Sequence, residues 1–335
     1  MTTGIWPSQR IRRAIQEDIL CLAAPIAPRQ IQPASIDLRL GEIAYRVPAS
    51  FMPGSGRRVS ERLAMLSTHE VDLKNPAVLE RNCVHVIPLM ECLNLPRNVE
   101  ARANPKSSTG RLDLFVRIIS DYATSFDDIP AGYSGPLYAE VVPRSFPIIA
   151  RQGDTLAQLR FRDLPHPPKA WRNETVCVDL DPAGKPDGII GYRARKHSGL
   201  IDLSRIGGYR TADYWEPIVG DALRKELVLD PEEFYILASS HPVRATADEA
   251  AEMIAYDTAL AEARFHAAGF VDPFFEGRLV LEVRAHDVPF LMTHNQKIGN
   301  IIYERMAETP DTLYGEGIGS NYQGQQVKLS KHFAD

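Results

Sequence analysis

The sequence predicts a mostly β protein, built from two tandem β domains with a few helices. Its 335 residues are enough for two domains. Strand-like runs such as Val84–Leu89, Arg117–Ser120 and Leu137–Val142 are short, and many of the 25 prolines and 22 glycines separate such runs. Frequent turns between short strands are typical of a sandwich or barrel rather than of an alternating α/β sheet.

An internal repeat predicts that the β domain is duplicated. GPLYAEVVPRSFPIIARQGDTLAQLRF begins at Gly135, and GRLVLEVRAHDVPFLMTHNQKIGNIIYER begins at Gly277. At one constant offset, Gly135, Leu137, Glu140, Val141 and Pro147 match Gly277, Leu279, Glu282, Val283 and Pro289. Upstream, Ile36-Asp37-Leu38 echoes Ile201-Asp202-Leu203. The period is too long for a solenoid, so it indicates two copies of a whole domain.

The remaining elements set the expected domain bounds. Apolar residues at helical spacing predict a helix over Ser8–Leu22, and the capping box Thr246-Ala-Asp-Glu249 predicts a second helix to about Ala268. The stretches DLPHPPKAW and DPAGKPDG are rich in proline and glycine. We therefore expect an N-terminal domain at 1–165, a connector at 166–198 and a C-terminal domain at 199–335.

Composition limits the class of protein. The hydrophobic content is 44%, the charged content 24% and the net charge -5, which gives no sign of a nucleic-acid polymer as partner. The four cysteines form no CxxC pair, which favours free thiols in a reducing compartment. No apolar run has the length of a membrane span or a signal peptide. We expect a soluble, cytoplasmic protein.

Two features of the sequence carry candidate chemistry. Lys106-Ser-Ser-Thr-Gly-Arg111 combines hydroxyls, cations and a glycine, as a phosphate-binding turn does, although such clusters are also common surface turns. Glu140 and Glu282 each lie in an apolar strand, where a glutamate is either exposed or held in a pocket with a raised pKa.

A metal site and a mobile flap are the other candidates. The HxE and PCxxC signatures of zinc deaminases are missing, so no protein-held metal is expected. The tail from Tyr314 to Gln326 alternates glycines with hydrogen-bonding side chains, which suits either a closing flap or a frayed terminus.

Five segments together resemble the dCTP deaminase family of the dCTP deaminase and dUTPase superfamily. IQPASIDLRLG at 31–41 resembles the family's opening strand, and KSSTGR resembles its RSSxxR motif. GYSGPLYAE resembles its GxxGxxxLE hairpin, and AGFVDPFFEGRLVLE at 268–282 resembles the same hairpin in a form closer to dUTPases. SNYQGQ at 320–325 resembles the closing tail.

The resemblance implies dUTPase-like β-barrels of the distorted jelly-roll type and hydrolysis of dCTP to dUTP and ammonia. The resemblance implies that Ser107 and Glu140 hold the attacking water and that Arg111 lies beside the base. The implied nucleotide contacts come from the following residues: Lys106, Ser107, Ser108, Arg111, Asp272, Tyr322 and Gln325. It further implies Mg²⁺ bound with the triphosphate, a homotrimer, and dTTP as an inhibitor.

Departures from the family pattern leave alternatives open. Lys106 replaces an arginine, and the deoxyribose-contacting aspartate falls at Pro130 in the first copy but is present as Asp272 in the second. The second copy has no SSxxR. Glu140 is the preferred catalytic glutamate because its copy holds KSSTGR, and Glu282 is the alternative if both copies share a site. A dUTP diphosphatase, a bifunctional enzyme and a non-catalytic nucleotide sensor are the rival functions.

Overall fold

The computed structural model describes residues 3–165, 172–254, 263–266, 269–285, 287–315 and 322–334, with the backbone alone at 263–266. It confirms the mostly β fold class with few helices. The helices in these ranges are α1 (Ser8–Gln16), α2 (Val59–Leu66), α3 (Ser107–Gly110), α4 (Thr211–Tyr214) and a 3₁₀ turn at Pro186–Gly188. None of the described helices is long and apolar enough to cross a membrane.

The first unit is a sandwich of short, mostly antiparallel strands. The strands are β1 (Leu20–Leu22), β2 (Ile36–Arg39), β3 (Ile43–Val47), β4 (His69–Asp72), β5 (Ala77–Leu79), β6 (Val84–Asn94), β7 (Val99–Pro105), β8 (Leu114–Ser120), β9 (Asp128–Ile129), β10 (Ser134–Pro143), β11 (Ile148–Ala150) and β12 (Thr155–Asp163). One sheet has the order β4-β3-β6-β10-β8, with β1 also on β6, and another has the order β2-β12-β7-β9. Between them lies a core that includes Leu38, Ile87 and Phe161.

The second unit repeats this strand order. Its strands are β13 (Arg172–Cys177), β14 (Ile189–Ala194), β15 (Ile201–Asp202), β16 (Tyr209–Arg210), β17 (Trp215–Val219), β18 (Glu226–Leu229), β19 (Phe234–Arg244), β20 (Glu249–Ile254), β21 (Ala263–His266), β22 (Phe270–Val271), β23 (Glu276–Ala285), β24 (Phe290–Thr293), β25 (Lys297–Arg305) and β26 (Phe333–Ala334). Its sheets have the orders β17-β14-β19-β23-β21 and β13-β25-β20-β22. The hairpin strands β10 and β23 therefore occupy equivalent positions, as duplication predicts.

The segment expected to be a connector, 166–198, contains two strands of the second unit. β13 pairs with β25, and β14 pairs with β17 and β19. The second unit thus begins well before residue 199, because proline and glycine mark turns within a sheet as readily as borders between domains. The echo at Ile201 is also not a second copy of β2, since β15 pairs in parallel with β11 of the first unit.

The two expected helices both differ from the structure. α1 ends at Gln16 because Asp18 has a φ of 54°, which turns the chain back so that β1 can pair with β6. The expected helix from Thr246 is wrong where the chain is described, since β20 occupies Glu249–Ile254. The capping-box contact from Thr246 N–H to the Glu249 carboxylate does form, at 3.1 Å. Pairing of β20 with β25 and burial of its residues override the helical propensity of the alanines.

The outer face of the second unit's β19 and β23 packs on the first unit. Trp215, Phe234 and Val280 belong to the same hydrophobic core as Phe146 of the first unit. The Phe146 and Trp215 ring centroids lie 5.5 Å apart, edge to face. This packing brings the second hairpin against the first unit's KSSTGR turn.

Candidate active site

A pocket of about 490 Å³ lies between the two units. Its walls include β2, β12 and α3 of the first unit, β22 and β23 of the second, and the C-terminal tail. Of the residues singled out from the sequence, the following line it: Lys106, Ser107, Ser108, Arg111, Asp272, Glu282, Tyr322 and Gln325. The pocket therefore combines motifs from both halves of one chain.

The KSSTGR turn approaches the second hairpin at its glycine. The turn is held by N–H groups of Thr109 and Gly110 that donate to the Lys106 carbonyl at 2.8 and 3.0 Å. A Cβ atom at position 110 would overlap the Glu282 carboxylate. Only a residue without a side chain allows this close approach, which gives the glycine of the motif a definite function.

Glu282 is buried in the wall of the pocket. It is 2% exposed, and its Oε2 atom has no hydrogen-bond partner among the described residues. Burial raises the pKa of Glu282 well above its ordinary value, the Arg111 guanidinium opposes this rise and the Asp113 carboxylate adds to it. A carboxyl group whose pKa is raised by burial is a stronger base than an exposed one when it is ionised, which suits a proton shuttle.

Arg111 joins the KSSTGR turn to the tail. It is 2% exposed and donates to the Lys328 carbonyl and to Gln325 Oε1, each at 2.9 Å. Its guanidinium carbon lies 3.8 Å from the centre of the Tyr322 ring. Burial lowers the pKa of Arg111, whereas Tyr322 and Glu282 act in the opposite direction. The arginine thus contacts three tail residues beside the buried glutamate.

The other end of the pocket is charged. Lys106 forms an ion pair with Asp37 and donates to Thr155 Oγ1 at 2.9 Å. Asp272 lies 3.5 Å from the Arg160 guanidinium. Burial raises the pKa of Asp272 to about 6; Arg160 lowers it and Asp37 raises it. Within the described ranges, no three His, Cys, Asp or Glu side chains cluster so that they could hold a metal ion.

The tail packs firmly along part of its length. Gln325 Nε2 donates to the Arg278 carbonyl at 2.8 Å, and Ser330 Oγ donates to the Ser108 carbonyl at 2.7 Å. Phe333 is part of the first unit's core. Ser320, the first residue of the SNYQGQ segment, lies outside the described residues.

Glu140 does not line this pocket. It is fully buried, and its Oε1 accepts hydrogen bonds from Arg117 at 2.6 and 3.2 Å. Arg117 also donates to Ser50 Oγ at 2.8 Å and lies 3.6 Å from the Phe126 ring centre. The structure therefore brings Glu282, and not Glu140, together with KSSTGR within one chain.

Sequence reasoning missed several residues of the pocket. Asp37 lies in the opening strand signature, yet its pairing with Lys106 depends on how β2 and β7 flank β12. Tyr314, whose ring packs on Phe275 with centroids 5.5 Å apart, carries no signal in the sequence beyond being the first residue of the candidate flap. Lys331 follows the recognised SNYQGQ segment and carried no motif signal.

Family comparisons agree with this assembly of motifs. The model of the 2'-deoxycytidine 5'-triphosphate deaminase N-terminal domain matches residues 2–165, and that of the C-terminal domain matches residues 171–333. This chain belongs to the dCTP deaminase family. The crystal structure of 2'-deoxycytidine 5'-triphosphate deaminase from Agrobacterium tumefaciens is similar, with 45% identity and a TM-score of 0.86. The match covers 91% of this chain and all of that one.

Curated relatives match over shorter stretches. A protein of Halobacterium salinarum named "dCTP deaminase, dUMP-forming" is 30% identical over 188 residues, which is 53% of this chain and 91% of the relative. Relatives of the same name from Methanococcus maripaludis and Beutenbergia cavernae are 36% and 33% identical. Those matches cover 19% and 30% of this chain, and only 31% and 54% of the relatives.

Proposed function

We propose that this chain deaminates dCTP by hydrolysis, giving dUTP and ammonia in pyrimidine deoxynucleotide metabolism. Membership of the family supports the substrate. The observation that carries the proposal is the contact between the buried Glu282 carboxylate and Gly110 of the KSSTGR turn, beside Arg111. One pocket thus offers a proton shuttle, a hydroxyl and a cation, which is what hydrolytic deamination needs.

The chemistry requires two protons to be moved, each by way of Glu282. Ser107 Oγ and Glu282 hold a water molecule, and Glu282 takes a proton as the oxygen bonds to C4 of cytosine. Glu282 passes that proton to N3. The hydroxyl proton of the adduct then moves through Glu282 to the amino group, which leaves as ammonia while C4 becomes a carbonyl. Arg111, held in a dry setting, stabilises the charge that develops.

The remaining contacts position the nucleotide. Lys106 and Ser108 bind phosphate oxygens, and Asp272 accepts a hydrogen bond from the deoxyribose hydroxyl. Tyr322 and Gln325 close the pocket over the nucleotide through their contacts with Arg111. Binding energy from these groups orients the base against the water.

We propose Glu282 as the catalytic glutamate in place of Glu140. The proximity of Glu282 to Gly110 and Arg111 favours it, together with Asp272 on the same hairpin. The Glu140 carboxylate is engaged by Arg117 and lies on a face that α2 covers. This assignment corresponds to the composite site that draws on both copies.

Hydrolysis of dUTP to dUMP is the second candidate activity. The curated relatives carry the words "dUMP-forming" in their names. Asp272 supports the idea, because its raised pKa, about 6, lets it accept a proton from a water near the phosphates. The enzyme would then be bifunctional.

One assay separates these functions. The protein is incubated with dCTP and, separately, with dUTP, and ammonia and pyrophosphate are measured independently. A deaminase releases ammonia alone from dCTP, and a bifunctional enzyme releases both products. A pure diphosphatase releases pyrophosphate alone, from dUTP. Binding of dCTP with neither product would contradict the proposal and support a nucleotide sensor.

We also propose the metal requirement, the assembly, the inhibitor and the cellular compartment of the enzyme. Mg²⁺ would arrive with the triphosphate, the chain would assemble as a homotrimer, and dTTP would inhibit it. Cys21, Cys83, Cys92 and Cys177 are free thiols, which suits the reducing cytoplasm. Titration with Mg²⁺, light scattering and inhibition kinetics test the first three points.

A further inference from the structure

Lys331 is a cation of the pocket that the proposed reaction leaves without a function. It is half-buried and lines the pocket together with Lys106 and Asp37. Its backbone is well anchored, because its carbonyl accepts a hydrogen bond from Gly207 N–H at 3.0 Å. The preceding residue, Ser330, donates to the Ser108 carbonyl of the KSSTGR turn at 2.7 Å. The lysine is therefore held next to the phosphate-binding motif.

The Lys331 ammonium forms no ion pair within the described residues, although two carboxylates, Asp37 and Asp154, act on it from farther away. Asp37 already forms an ion pair with Lys106, and no carboxylate of the described chain lies within ion-pair distance of the Lys331 ammonium. Burial lowers the pKa of Lys331 and Lys106 lowers it further, while Asp37 and Asp154 oppose the change. Two ammonium groups thus line one end of the pocket, and an anion bound between them would be attracted by both.

We propose that Lys331 and Lys106 bind the terminal phosphate of the nucleotide and that Lys331 makes the pocket selective for a triphosphate. This inference rests on the proposed function. A terminal phosphate brings about two negative charges and three acceptor oxygens, which match two ammonium donors. A diphosphate is one group shorter and leaves Lys331 without a partner.

The position of Lys331 in the tail gives this contact a second consequence. The same described segment carries Tyr322 and Gln325, which contact Arg111. A phosphate bound to Lys331 is therefore held by the same tail segment that covers the reacting end of the pocket. Recognition of chain length and closure over the base are linked in one stretch of backbone.

The test uses inorganic triphosphate and pyrophosphate as probes, with binding to the full chain measured by calorimetry. Lys331→Gln should weaken triphosphate binding roughly 10- to 100-fold, as expected for loss of a charge-assisted contact. It should change pyrophosphate binding less than about threefold, and Lys331→Arg should retain most of the triphosphate affinity. Lys297→Gln, which removes an exposed lysine of β25, is the matched control.

Equal weakening of both anions by Lys331→Gln, or no weakening, would overturn the proposal. If thermal melting shows that this variant does not fold, the wild-type protein decides, since it should bind triphosphate at least tenfold more tightly than pyrophosphate. Equal wild-type affinities would overturn the proposal as well. Ammonia release from dCTP is scored separately. Its absence, with triphosphate preference intact, would contradict the deaminase function and leave the anion site in place.

Discussion

The two halves of the molecule carry the same hairpin and the same glutamate but surround that glutamate differently. In the first unit, β10 presents Glu140 to Arg117, whose guanidinium binds the carboxylate directly. In the second unit, β23 presents Glu282 to Gly110 and to the neighbourhood of Arg111. Both carboxylates are buried, so burial alone does not separate a structural glutamate from a candidate catalytic one.

The segment that follows β3 in the first unit and β14 in the second explains the difference. Between β3 and β4, residues 48–68 include α2, which covers the face of β10 and packs on Tyr138. Between β14 and β17, residues 195–214 instead run to the first unit, where β15 pairs with β11 and Tyr214 joins the core. The equivalent face of β23 is thus left for the KSSTGR turn and the tail.

A duplicated domain can keep a motif and change its use through one connection. Arg117 binds Oε1 of the Glu140 carboxylate beneath a helical cover, whereas Glu140 Oε2 has no hydrogen-bond partner among the described residues. Glu282 faces a cavity that has room for a ligand. A motif shared by two copies is therefore assigned a function only after its covering segment is known.

The largest expected effect separates the two glutamates by kinetics. Glu282→Gln should lower kcat for ammonia release from dCTP roughly 10³-fold or more, because an amide cannot shuttle protons. Glu140→Gln should stay within about threefold of the wild type. Steady-state ammonia assays on both variants check this, with thermal melting to establish folding. The reverse ranking would return catalysis to the first hairpin.

The close approach of Gly110 to Glu282 predicts the next largest effect. Gly110→Ala should lower kcat on the order of 10²-fold, since the new Cβ displaces the carboxylate from its position near the water. Gly56→Ala is the matched control, because a Cβ at position 56 meets no atom within 4 Å. A Gly110→Ala enzyme with normal kcat would mean that the contact has no part in catalysis.

A mixing experiment tests whether one chain builds the whole site. Ser107→Ala and Glu282→Gln remove residues from opposite walls of the same pocket. If the site forms within a chain, coexpressing the two variants with different tags should leave the purified mixture as inactive as either alone. Recovery of activity in mixed assemblies would indicate that the walls come from different chains of an oligomer.

The smallest expected effects are on stability, and they have opposite signs. Burial raises the pKa of Glu282 above its value in the unfolded chain. The free energy of unfolding therefore falls as pH rises above about 4.5, where the unfolded chain ionises this group. Glu282→Gln should therefore raise the free energy of unfolding at pH 8, with the gain disappearing near pH 4. Glu140→Gln should lower that free energy by about 1–3 kcal/mol, because it breaks a buried hydrogen-bonded ion pair. Urea titrations at both pH values check the signs, and stabilisation by Glu140→Gln would contradict the comparison.

Local patterns predicted much of the fold. The short strands and the repeat anchored at Gly135 and Gly277 correspond to β10 and β23, which have equivalent neighbours in the two sheets. The alanine-rich stretch after Thr246 misled the helix prediction, because cross-strand pairing with β25 is invisible to local propensity. The structure differs from the predicted connector at 166–198 for a related reason. β13 pairs with β25 and β14 pairs with β19, and these pairings are also invisible to local sequence patterns.

Local sequence patterns identify the groups that are available for chemistry: the KSSTGR turn, two strand glutamates, Asp272 and the tail. Which of these groups meet in one pocket depends on the tertiary packing. Gly110 and Glu282 are distant in sequence, and their contact follows from the packing of the second unit's sheet on the first unit's core. Such a contact is selected by shape and buried area over many residues, so no motif of a few residues encodes it. The covering of β10 by α2 and the open face of β23 are both consequences of that packing.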